Sequence, residues 1–262
     1  MLRPRIIPCL LVRDKGLVKT VKFKDGKYVG DPLNAVKIFN EKEVDELMLL
    51  DIDASVEKRG PDFELIKNIA IESRMPLCYG GGVKTVEQVK TIISLGAEKV
   101  AISSAAIENP GIISDMAKVV GSQSIVVVID VKYKGLFSKP EVVIYNSLKS
   151  TGIDPVDFAR KCEEAGAGEI VINSVDRDGV MAGYDLKLIR EIRKACSIPI
   201  TVLGGAGELS DLQNLVKEFG IIGAAAGSLF VFKGKYKAVL INYPNRSEKI
   251  SIMPEFFLAA PQ

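Results

Sequence analysis

The chain contains no histidine and no tryptophan in its 262 residues. Without histidine, a Ser-His-Asp triad, a histidine-bearing zinc site and imidazole acid–base catalysis are all excluded. Any proton transfer falls to Asp, Glu, Lys, Tyr or Cys. Cysteine is scarce, and Cys9, Cys78, Cys162 and Cys196 stand apart with no C-x-x-C spacing. Scattered thiols inside predicted strands and helices point to reduced, buried side chains and a cytoplasmic protein. No apolar run reaches membrane-spanning length, and Met1-Leu2-Arg3-Pro4 leads straight into a strand, so neither a membrane span nor a signal peptide is expected. An excess of one charge is lacking too, and a net charge of +2 gives no basis for nucleic-acid binding. No metal site and no cofactor are expected.

What the chain does have is internal symmetry. Residues 46–82 and 169–205 superimpose without a gap at a constant offset of 123. The identities include Glu46/Glu169, Asp53/Asp176, Gly60/Gly183, Gly81/Gly204 and Gly82/Gly205. A repeat this long implies two similar halves. Strand-like apolar runs rich in β-branched residues fall at 5–11, 46–51, 76–80, 99–103, 124–130, 169–174, 199–203 and 221–226. Amphipathic stretches at 62–73, 85–95, 155–165, 185–195 and 209–218 have apolar residues at helical spacing. Strands apolar on both faces belong to a covered parallel sheet. The expected fold is therefore α/β, a (β/α)8 TIM barrel with a half-barrel internal repeat. It is expected to span 1–242 as one domain, leaving 243–262 as a C-terminal tail that fits no repeat unit. A doubly wound open sheet does not explain a half-and-half repeat. Two long connections, 12–31 and 131–154, are expected on the C-terminal rim, where barrels carry active-site loops. The lysines of the first read as a mostly solvated face.

The repeat places glycine clusters at equivalent strand ends, Gly80-Gly81-Gly82 and Gly204-Gly205. One unit later come the small residues Ser103-Ser104-Ala105 and Ala226-Gly227-Ser228. Glycines let backbone N–H groups approach an anion, and the next helix N-terminus adds positive potential. Tight turns also select glycine, but two clusters related by the repeat favour a phosphate site at each, and hence an elongated ligand with phosphate at both ends. Acidic candidates at strand ends are Asp51, Asp130, Asp176 and Asp178. Aligning strand one with strand five pairs Asp130 with Leu11, so a symmetric acid–base pair would be only half present. At the opposite ends of the strands, Arg5, Glu46, Lys99 and Glu169 begin strands one, two, four and six. Strand alternation turns Arg5 to the face of Ile7, Cys9 and Leu11, and Lys99 to that of Ala101 and Ser103. If those faces point inward, two cations and two anions ring the barrel floor. The plain reading of such a ring is a stability cluster.

These residues resemble the HisF family, the cyclase subunit of imidazole glycerol phosphate synthase. The resemblance covers roughly residues 3–240 through RIIPCL (5–10), GDPLNA (30–35), DELMLLDIDAS (45–55), GGGV (80–83), KVAISSAAIENP (99–110), GSQSIVVVID (121–130), AGAGEI (165–170), DRDGVMAGYD (176–185) and LGGAGEL (203–209). It implies a glutaminase (HisH-like) subunit docked at the N-terminal face, and ammonia passing through a charged gate to a bisphosphorylated small molecule. Arg5, Glu46, Lys99 and Glu169 match that gate. Asp130 matches one of two catalytic aspartates, while Lys19, Asp51 and Asp178 match residues of the substrate site. The departures are Leu11 at the other catalytic aspartate, Ser103 where asparagine is usual, Asn173 where threonine is usual, and Cys78-Tyr79 in place of a smaller polar pair.

A leucine cannot transfer a proton, so a retained gate beside a missing acid–base partner resembles a paralogous branch of the family. That branch supplies an ATP-dependent sugar amidotransferase making acetamidino sugars for O-antigen or other surface glycans. The expectation is a HisF-like synthase subunit receiving glutaminase-derived ammonia for that purpose. The alternatives are a working cyclase–lyase of histidine biosynthesis and a non-catalytic scaffold that activates the glutaminase.

Overall fold

The computed structural model describes residues 3–135 and 139–258, so Met1, Leu2 and the last four residues of the expected tail lie outside the described residues. Eight parallel strands close on themselves: β1 (Arg5–Arg13), β2 (Leu47–Asp51), β3 (Leu77–Gly80), β4 (Lys99–Ile102), β5 (Ile125–Tyr133), β6 (Glu169–Ser174), β7 (Ile200–Leu203) and β8 (Gly223–Ala226). Each pairs in parallel with its sequence neighbour, and β8 pairs with β1 to shut the barrel. The expected (β/α)8 fold is the observed one. Every strand end falls within three residues of its expected position.

The repeat extends to the turns that start the helices. Helix α1 (Pro32–Glu41) begins with an Asp-Pro pair, in which Asp31 caps Asn34 N at 2.9 Å. Its counterpart Pro155–Glu164 begins with Asp154-Pro155, and Asp154 caps Val156 N at 2.9 Å. Likewise Asp62 caps Leu65 N at 3.0 Å and Asp185 caps Leu188 N at 3.2 Å. A carboxylate at each position satisfies backbone donors that the helix leaves free, and proline at the first turn costs nothing there.

Alternation along the strands separates two cores. Outward residues such as Ile6, Leu10, Leu49, Val127 and Ile172 pack against the helices in one continuous cluster. Inward residues, among them Ile7, Cys9, Met48, Cys78, Ala101, Val126, Val171 and Ala225, fill the barrel itself. All four cysteines are buried and free. Among the described residues, no helix is long and apolar enough to cross a membrane.

The long connections after β1 and β5 carry strands of their own. β1 continues into an antiparallel hairpin, Gly16–Val21 with Lys24–Gly30, and β5 runs on into Pro140–Ile144 and Lys149–Ser150. The segment after 242, expected as a tail that fits no repeat unit, carries a helix that packs on the barrel. Helix Arg246–Ile252 packs on the preceding barrel helix, Leu209–Phe219. Its Lys249 reaches Asp45 and the Glu43 carbonyl, both at 3.0 Å, just past α1. Tyr243, Ile252 and Met253 join the outer core, and the Tyr243 hydroxyl donates to the Ile6 carbonyl at 2.8 Å. This segment supplies the eighth helix of the barrel, which the repeat pattern missed because its apolar positions are few.

Candidate functional site

The floor of the barrel carries the four charges named from the sequence. Arg5 donates to Glu46 and, at 2.8 Å, to Glu169. Lys99 donates to Glu46 at 2.9 Å and to Glu169 at 2.8 Å. Each cation thus bridges both anions. Glu46 sits one residue before β2 rather than in it, yet its side chain still points inward. The carboxylates are almost fully buried, and the cations keep 25% and 19% of their side-chain surface exposed. Burial acts against charge on Arg5 and Lys99, but the neighbouring Glu169 and Glu46 carboxylates raise both above their ordinary values. Burial likewise opposes ionisation of Glu169, and Arg5 and Lys99 hold its pKa below the usual range. Thr201 is a fifth member, donating to Glu169 at 2.5 Å. It is the one polar residue of β7, and that was the signal available for it.

Above the floor the interior is apolar for two layers, up to Cys9, Ala101, Val128 and Leu203. A cavity then opens at the C-terminal ends of the strands, with about 1100 Å³ of free space including the part open to solvent. Its lining brings together Leu11, Lys19, Asp51, Gly81, Gly82, Ser103, Ser104, Asp130, Asn173, Asp178, Gly227 and Ser228. Asp130 accepts a hydrogen bond from Asn173 Nδ2 at 2.9 Å. Burial pushes the Asp130 carboxyl up to about 7, with that hydrogen bond pulling the other way. Asn173 Oδ1 is buried and has no partner among the described residues.

Lys19, on the hairpin, turns inward and donates to the Cys9 carbonyl at 2.6 Å. Burial lowers its pKa, while nearby Cys9 and Asp178 act in the opposite sense. Asp178 is raised by burial and steadied by Lys19, and it accepts from Thr20 Oγ1 at 3.1 Å. Asp51 is committed to its own loop. It receives Arg59 at 3.1 and 3.4 Å and the backbone N–H of Ala54 at 3.1 Å. Arg59 was not singled out from the sequence, and the carboxylate it holds was.

Gly81 and Gly82 line the cavity, and Gly204 and Gly205 stand at the equivalent strand end of the other half. Both pairs are closely packed. A Cβ on Gly204 would stand 2.6 Å from the Ser174 carbonyl and 2.8 Å from Asn173 Oδ1, so those groups occupy the space beside it. Gly205 presses on the Gly183 carbonyl in the same way. In the other half, a Cβ on Gly81 would lie 2.6 Å from the Asp51 carbonyl, and one on Gly82 would lie 2.5 Å from the Arg59 carbonyl. All four have positive φ, between +69 and +129°. Close backbone packing by itself therefore demands glycine at each position.

Strand register exposes a mismatch that sequence reasoning passed over. Asp130 pairs with Asn173 across β5 and β6. In the other half, Leu11 pairs with Leu50 across β1 and β2. Leu50 stands at the repeat position of Asn173, so the offset alone could have found it. The mouth is thus polar on one side and apolar on the other.

A (β/α)8 barrel with its cavity at the C-terminal strand ends belongs to the enzyme fold class whose active sites open on that face. The family model described as "Histidine biosynthesis protein" matches residues 5–237. A Leptospira interrogans protein provisionally named imidazole glycerol phosphate synthase subunit HisF is 59% identical over 249 residues, covering 95% of this chain and 98% of its own length. A Vibrio vulnificus protein with the provisional name hisF3 is 60% identical over 249 residues, covering 95% and 96%. One from Pseudomonas aeruginosa, provisionally named hisF2, is 51% identical over 245 residues, covering 94% and 97%. The chain belongs to the HisF family of imidazole glycerol phosphate synthase subunits.

Proposed function

We propose that this chain receives ammonia from a glutaminase docked at its N-terminal face and delivers it through the barrel to the C-terminal cavity. There it serves formation of an acetamidino group in surface-polysaccharide sugar synthesis, together with an ATP-dependent sugar amidotransferase. The observation that carries this reading is the contrast between the two ends. The floor keeps its complete set of alternating charges, while the mouth has Leu11 and Leu50 where the other half has Asp130 and Asn173. Provisional names such as hisF2 and hisF3 among the relatives are consistent with a paralogous branch.

The physical route is simple. Arg5, Lys99, Glu46 and Glu169 attract a polar molecule to the floor, and opening requires one ion pair to swing aside. The apolar layers above favour neutral ammonia, because an ammonium ion would lose its hydration without gaining a partner. At the top, the Asn173 Oδ1 acceptor is free to take an N–H. Lys19, Asp178, Ser104 and Ser228 supply polar contacts for the acceptor molecule.

A second reading, cyclase–lyase activity in histidine biosynthesis, is favoured by Asp130 alone, since a carboxyl titrating at about 7 is suited to acid–base work at neutral pH. Ammonia-dependent turnover of the bisphosphorylated histidine-pathway intermediate by the purified chain separates the two. The proposal expects turnover far below the family's ordinary rate, and turnover at that rate would overturn it.

A further inference from the structure

The half-barrel symmetry fails at a second matched pair, on the rim. In the first half, Arg13 is clamped by Asp53, with Nε at 2.5 Å and Nη2 at 3.1 Å. Register places Lys132 and Asp176 at the equivalent positions, because Val12 pairs with Asp51 just as Val131 pairs with Ser174. That clamp is absent from the second half. Asp176 accepts the backbone N–H of Tyr133 at 2.8 Å, and Lys132 turns away to donate to Ser147 Oγ at 3.1 Å.

Released from its carboxylate, Lys132 lines a rim cleft with Lys22 and Lys24, which come from the hairpin of the other half. The cleft holds about 700 Å³ of free space including its open side. Among the described residues, none of these three lysines has a carboxylate within 4.0 Å. The one carboxylate lining the cleft, Asp53, is already taken by Arg13 and by Asn146 Nδ2 at 3.1 Å. Three ammonium groups therefore share a cleft with no free counter-charge, an arrangement that an anion relieves.

A further feature ties the cleft to the barrel site. Its walls are two hairpin turns, one of them the two-residue turn Lys22-Phe23 between paired Val21 and Lys24. Phe23 and Asn146 line both the cleft and the barrel cavity, so the two are continuous.

We propose that Lys22, Lys24 and Lys132 form an anion subsite that binds a phosphate- or diphosphate-class group on the far end of an elongated ligand whose other end occupies the barrel cavity. Lysine ammonium groups act as point charges that suit an oxyanion of many oxygens. The subsite requires neither ammonia nor a partner protein, so it stands or falls apart from the proposed function.

Calorimetric titration of the whole chain with inorganic pyrophosphate tests it. Lys132→Met and Lys24→Ser should each weaken binding by about tenfold or more, the scale of one charge-assisted hydrogen bond. Lys15→Ser and Lys90→Ser, whose lysines do not line the cleft, should leave binding unchanged. Thermal unfolding of each variant checks that the fold is intact. Undiminished binding by the folded double variant Lys24→Ser/Lys132→Met would place the anion elsewhere and overturn the proposal, as would the absence of saturable binding by the parent chain.

Discussion

Restoring a carboxylate at position 11 is the most direct probe of the mouth, and the register shows why one substitution is not enough. Asp130 is pushed up to about 7 by burial even though Asn173 donates to it. An aspartate at 11 would face similar burial beside Leu50, with no amide to hold its charge. A hydrogen bond to a charged group contributes about 1.5–3 kcal/mol, which corresponds to about 1–2 pK units. The new carboxyl in Leu11→Asp should therefore titrate about 1–2 units above the one in Leu11→Asp/Leu50→Asn. Since a general base acts in its ionised form, the acid limb of the pH–rate profile should move down by that amount in the double variant. The assay is ammonia-dependent turnover of the bisphosphorylated histidine-pathway intermediate across pH. Supplying one acid–base group should raise turnover about 10²-fold or more over the parent. Losing the half-buried Leu11 side chain costs about 1–2 kcal/mol, within reach of a domain of ordinary stability. If both variants fold and neither gains activity, or if their profiles coincide, then Leu11 and Leu50 are not the counterparts of Asp130 and Asn173.

Other outcomes follow from the floor, the mouth and the turns. Lys99→Met leaves Glu46 and Glu169 with Arg5 alone and should cost about 3–5 kcal/mol in denaturant unfolding. Charge reversal at Lys99 should lower glutamine-dependent turnover in the glutaminase complex while activity with free ammonia holds; if only glutaminase binding changes, the conduit is wrong. Burial pushes the Asp130 carboxyl from its ordinary 3.8 up to about 7, so the folded state binds the extra proton between them. Its contribution to stability is therefore fully present below the lower value and is lost as pH rises through about 7. Unfolding of the parent should grow easier over that window relative to Asp130→Asn, and parallel pH dependences would contradict the burial of this carboxyl. Gly81→Ala and Gly204→Ala should each destabilise by at least about 1–3 kcal/mol, from left-handed strain plus collision with the Asp51 and Ser174 carbonyls. A neutral result at either would refute the packing account of these glycines.

Much of the fold was legible because its signals are periodic. Eight β-branched runs and a constant offset leave little freedom, and the offset even carries the caps Asp31/Asp154 and Asp62/Asp185. The charged floor was legible from strand alternation, which sends residues two apart to the same face. What was not legible depends on position between elements. No local pattern tells that Lys249 reaches back to Asp45, or that Arg59 folds over Asp51. The glycine turns are ambiguous in sequence, because an anion site and a carbonyl pressed close to the backbone select the same residue.

The repeat also constrains the shape of the ligand more tightly than the glycines do. Two equivalent phosphate turns would suit a molecule with like ends. The mouth between them is not symmetric, since Asp130 and Asn173 face Leu11 and Leu50, and Lys19 and Asp178 enter it from one hairpin. The rim is asymmetric as well, with Arg13 neutralised by Asp53 while Lys132, beside Lys22 and Lys24, has only the Ser147 hydroxyl among the described residues. A ligand with two like ends leaves one polar set unmatched at each level, and unmatched buried polar groups are costly. The floor, by contrast, keeps its matched pair Glu46 and Glu169. Under the proposed function, small and symmetric ammonia would need no more than that floor, whereas the mouth and the proposed rim subsite would call for an acceptor with one apolar flank and one anionic end.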